Sequence, residues 1–131
     1  MAWSNAPSVT VHRPLVTLAP LTAAAVSTAT QLHAWRDLRN YGALRWIVIN
    51  DDAAQVVQVT LDTSEDDAVS KAVDQEHQWI IQIQPLQQGS IPLGAGMNSI
   101  DLLHRYFRLV GQTVSLAAAN IRWKLVGATR F

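Results

Sequence analysis

No cysteine occurs among the 131 residues. That rules out a disulfide framework, a thiolate metal site and a cysteine nucleophile, so the fold must stand on packing and backbone hydrogen bonds. Charge is scarce as well. Charged residues make up 15% of the chain and cancel to a formal net charge of zero, where an ordinary soluble domain carries about 25%. Nucleic-acid binding needs an excess of Lys and Arg to displace counterions, so the balance argues against that partner. No apolar run reaches the roughly 18 residues of a membrane-spanning helix, and no membrane partner is expected. Leu15–Val26 is apolar and follows Arg13, as the core of a secretory signal would. However, Pro14 and Pro20 interrupt it and residues 1–12 hold no Lys or Arg, so cleavage is not expected.

What is present is one domain's length of chain, enough to bury a real core. Gln, Asn, Ser and Thr supply the polar surface in place of charge. Such a surface is easily buried against partners, which favours an assembling component over a lone particle. The few charges are segregated. Eight of the ten acids lie between Asp51 and Glu76, whereas Arg105, Arg108, Arg122, Lys124 and Arg130 follow the last acid, Asp101. Two readings fit: pairing within one subunit, or acidic and basic faces meeting between copies.

The hydrophobic pattern is that of short strands. Thr28–Trp35 reads as one, and Leu44–Asn50 mixes Trp with β-branched residues as a buried strand does. Gln55–Leu61 places Val57, Val59 and Leu61 on one face and Gln58 and Thr60 on the other. With Asp51-Asp52 as the turn, these last two runs read as a β-hairpin. Gln78–Gln84 sets Trp79, Ile81 and Ile83 against an amide-rich outer face. Arg105–Val110 and Asn120–Val126 alternate in the same way, and Met97–Asp101 reads as a brief strand. Gly89–Gly96 carries turn signals around Ile91 and Leu93, and Asp62–Gln75 is open between a short helix and a loop. Little helix and many short strands predict an all-β fold, a single antiparallel, jelly-roll-like β-sandwich over residues 28–131. Residues 1–27 read as an extended N-terminal arm, because Pro7, Pro14 and Pro20 forbid a continuous helix or a central strand.

Motifs that carry chemistry are scarce. His12, His33, His77 and His104 form no close ligand pair, so no metal is expected. Asp62, Glu65, Asp66 and Asp67 lack the glycine and terminal Glu of a calcium loop and read as a solvated acidic loop. Gly94-Ala95-Gly96 lacks the Lys-Ser/Thr of a phosphate loop, and no Gly-x-Ser-x-Gly elbow occurs. No cofactor is expected, and the chain does not read as an enzyme.

Trp46, Trp79 and Trp123 sit on alternating strands and are expected in the core. Trp3 and Trp35 are candidates for contact with a partner. The arm either lies on its own sandwich as an edge or reaches a neighbour. Trp3, Val9, Val11, Arg13, Leu15, Leu18 and Trp35 are the residues expected to make a partner contact. An alternative is a carbohydrate-binding sandwich, whose exposed aromatic row would draw on Trp35, Tyr41 or Trp79.

Three stretches together carry a likeness. They are Asp37–Asn50, which the Gln-Val strand and the acidic loop Asp62–Asp67 follow, then Ile100-Asp-Leu-Leu-His-Arg-Tyr-Phe-Arg-Leu-Val110, and last Ile121–Arg130. Their order resembles small β-sandwich virion proteins of tailed bacteriophages, of the head decoration (cement) type. The likeness covers roughly residues 30 to 130 and leaves the arm outside it. It implies a homotrimer on the capsid surface of the virion that binds the major capsid protein and holds neighbouring capsomers together. A tail or fibre component is the nearest variant of that reading.

Overall fold

Period-two alternation dictates almost every element. The computed structural model describes residues 15–64, 77–94 and 106–129. They form eight strands: β1 (Leu15–Val26), β2 (Thr30–Asp37), β3 (Tyr41–Asn50), β4 (Val57–Ser64), β5 (His77–Ile83), β6 (Gln88–Gly94), β7 (Tyr106–Thr113) and β8 (Ala119–Thr129).

Two four-stranded antiparallel sheets result, in the orders β1-β8-β3-β6 and β2-β7-β4-β5. The pairs β1/β8, β2/β7, β3/β6 and β4/β5 nest like one long hairpin rolled up so that successive pairs fall in alternate sheets. This is the eight-stranded jelly roll, and the sandwich fold expected from the pattern is the one adopted. The expected hairpin between β3 and β4 is not formed. The chain crosses at Asp51–Val56 from the first sheet to the second, and only β4 and β5 are consecutive neighbours. Gln88–Gly94, which carries turn residues, is a full edge strand paired with β3.

The core fills the gap between the sheets. Trp46, Val48, Val57, Val59, Leu61, Ile91, Leu109 and Leu125 are wholly buried. The Trp46 and Phe107 rings meet at 5.5 Å with a 43° tilt, a favoured aromatic geometry. Trp123 is buried, and Trp79 is partly buried against the same cluster. The sheets close together at Gly89, where an added Cβ would stand 2.8 Å from Ile83 Cγ1. A side chain there would force the buried Ile83 to move.

Leu15–Val26, assigned by sequence to the arm, is part of the sandwich. It pairs along β8 from Leu15 opposite Ala128 to Val26 opposite Ala119, and Ala19 and Val26 enter the core. The register shifts around Pro20, which an edge strand tolerates because it has only one partner. Residues 15–26 of the expected arm thus belong to the sandwich. Residues 1–14 lie outside the described residues, as does the expected strand at Met97–Asp101.

At one end of the sandwich the crossings are tied together by Asn50, which is fully buried. Its Nδ2 donates to the carbonyls of Gln55 at 2.7 Å and Ile83 at 3.1 Å, and its Oδ1 accepts from Asp52 N at 3.0 Å. One amide therefore joins the end of β3, the β3–β4 crossing and the end of β5.

Candidate ligand-binding face

The inward set Val57, Val59 and Leu61 forces Gln58, Thr60 and Asp62 of β4 to the outside of the second sheet. Phe107 and Leu109 do the same for Arg108, Val110 and Gln112 of β7. Strand register then lines these side chains up in rows across the sheet. Gln112, Gln58 and Gln82 share one row; Gln31, Val110, Thr60 and Ile80 share the next; Arg108, Asp62 and Gln78 share a third. All of these but Gln82 line an open groove of about 500 Å³, bordered by Ala29.

Asp62 anchors the third row. Both Nε and Nη2 of Arg108 donate to its Oδ2, at 3.0 and 2.6 Å, and Gln78 Nε2 donates to Oδ1 at 3.0 Å. The carboxylate side chain is only 3% exposed, against 23% for Arg108. A carboxylate so buried is tolerable only when paired and hydrogen-bonded, and here it is both. The Arg108 guanidinium lies 4.7 Å over the Trp35 ring, a cation–π contact that holds the fork flat. The sequence pattern predicts Asp62 in a solvated acidic loop. Instead it is a buried strand residue, because Arg108 on the adjacent strand neutralises it. A second acid, Asp51, pairs with Arg122 at 2.8 Å, so these two acid–base pairs close within one chain.

Of the expected partner-contact residues, Leu15, Leu18 and Trp35 fall among the described residues. Trp3, Val9, Val11 and Arg13 lie outside the described residues. Leu15 is exposed on the β1 edge, while Leu18 is half-buried against the core and its carbonyl accepts from Arg36 Nη2 at 2.9 Å. Trp35 is on the other sheet, under Arg108. Nor do Trp35, Tyr41 and Trp79 form an exposed aromatic row, since Tyr41 and Trp79 pack on the core cluster. The polar rows were visible in the sequence only as the outward half of each alternation, Gln58/Thr60, Gln78/Gln82 and Arg108/Val110. Which halves become neighbours is set by strand order. Among the described residues, no group of His, Asp and Glu has the arrangement of a metal site.

No protein-family model matches the chain, and no curated protein does. Among solved structures, the chain is similar to the family 11 carbohydrate-binding module of the cellulosomal cellulase Lic26A-Cel5E of Clostridium thermocellum. The TM-score is 0.42 and the identity 9%, over 92% of this chain and 90% of that one. A likeness of that depth carries no argument about what this chain binds.

Proposed function

We propose that the chain is a non-catalytic binding sandwich that takes carbohydrate on the outer face of the β2-β7-β4-β5 sheet. The observation that carries this is the chemistry of the groove. Gln31, Gln58, Gln78 and Gln112 with Thr60 present amides and a hydroxyl in register, interleaved with Val110 and Ile80. An amide offers both donor and acceptor, as a sugar hydroxyl does, so each can satisfy both sides of a hydroxyl contact. The aliphatic pair between the rows suits the apolar C–H face of a pyranose. Open, sheet-wide grooves suit a chain better than a small molecule, which needs enclosure. Binding of the intact protein to immobilised polysaccharides, compared with a Gln58→Ala/Gln112→Ala variant, tests the reading. Loss of retention in the variant supports it; equal retention contradicts it.

A second reading is favoured by the β1 edge. Its 12 residues carry no charged side chain, and Leu15 and Leu21 are exposed on it. An uncharged edge of that length invites another strand. That supports an assembling role, as a trimeric capsid decoration protein on a bacteriophage head that binds the major capsid protein. A monomeric mass in solution together with no retention on phage heads would end it.

A further inference from the structure

Resting on the carbohydrate reading, we infer that the groove selects uncharged saccharide chains, and that the Asp62–Arg108 pair is what sets this selectivity. Among the described residues lining the groove, Asp62 and Arg108 are the only charged ones. Arg108 is the more exposed of the two and would otherwise be the natural anchor for a carboxylate or sulfate. Its charge is committed elsewhere. Two of its nitrogens are taken by a single oxygen of Asp62, and its flat face rests on Trp35. Bringing in an anionic sugar would either break that fork or set a second negative charge beside Asp62, whose carboxylate has almost no water to screen it. Both cost binding energy. A neutral hydroxyl meets neither penalty and finds amides on three sides. The ion pair thus acts as a built-in counter-charge that keeps the groove at zero while Arg108 holds its place in the row.

The test compares neutral polymers (glucan, xylan and mannan) with acidic ones (polygalacturonate and alginate) by affinity electrophoresis and calorimetry at low and high salt. The wild type is expected to bind a neutral polymer with an affinity that does not change between about 50 and 500 mM NaCl, since an uncharged ligand offers no charge for salt to screen. Asp62→Asn, which keeps the shape and releases the Arg108 charge, is expected to gain binding to an acidic polymer by about tenfold at low salt, and to lose that gain at high salt. Because Asp62 is buried, Thr60→Lys serves as a second variant. It adds a cation to the same groove without touching the pair, and should show the same salt-sensitive gain. Salt-dependent binding of acidic polymers by the wild type, or no gain in either variant, overturns the selectivity while leaving the carbohydrate reading in place. Binding of no polymer of either kind removes that reading and this inference with it.

Discussion

The indole Nε1 of Trp46 donates to Nε2 of His33 at 2.9 Å, across the gap between the two sheets. His33 Nδ1 lies 2.8 Å from the Ala34 carbonyl, so Nδ1 carries the proton and Nε2 is left to accept. The ring also lies against Trp123 at 5.5 Å. A histidine held this way is neutral by design, since a second proton would turn the acceptor into a donor facing a donor.

Burial lowers the His33 pKa below its ordinary 6.5, helped by the nearby Arg36 charge and opposed by the Ala34 carbonyl. Between the folded and unfolded values the unfolded chain holds a proton that the folded one refuses. Stability is therefore fully present above about pH 6.5 and declines as pH falls toward the folded value, by at most about 1.4 kcal/mol per pH unit. Urea titrations from pH 8 to pH 5 should show this slope. His33→Gln, which can still accept from Trp46, should flatten it at some cost in stability; an unchanged slope would contradict the assignment.

Asn50→Asp should be more damaging than its near-identical shape implies. The amide nitrogen faces carbonyls of Gln55, Ile83 and Gln84, the last at 3.3 Å. A carboxylate there turns donor–acceptor contacts into acceptor–acceptor ones in a fully buried site. The expected loss is about 3 kcal/mol or more, read as a drop in the urea midpoint. A change under 1 kcal/mol would mean the amide is not the tie between the crossings.

Leu86 and Leu116 stand at φ 60° and 67° in the β5–β6 and β7–β8 connections, and both side chains are exposed. The left-handed region disfavours a leucine by roughly 1–2 kcal/mol. Asn tolerates it better, and neither leucine contributes to the core. Leu86→Asn and Leu116→Asn should each raise stability by about 0.5–1 kcal/mol. Thermal melts decide it, and a lower melting temperature in both would refute the strain.

The inward half of the sandwich was legible in the sequence. Val57, Val59 and Leu61, Phe107 and Leu109, and Trp46 and Trp123 announce themselves because alternation with polar neighbours has one physical cause, a sheet with one dry face. β6 was hidden because Gly89, Ser90 and Pro92 are turn residues. They are tolerated there because β6 is an edge, and Gly89 is needed for the close approach of Ile83. The false hairpin at Asp51-Asp52 arose because a turn that stays in one sheet and a crossing between two sheets carry the same local signal. The candidate site was legible only as scattered glutamines. Asp62 looked like a loop acid because its partner Arg108 is 46 residues away, and sequence pattern does not report which strands become neighbours.

The most direct measurement is where a saccharide touches the protein. Glutamine side-chain amides give resolved signals in nitrogen–proton correlation spectra, so a titration with a neutral oligosaccharide reads the groove residue by residue. Saturable shifts of the Gln58, Gln78 and Gln112 side-chain amides, with the Thr60 and Val110 backbone following and the β1 edge still, are the predicted result. Shifts confined to β1, or none at millimolar ligand, would contradict it.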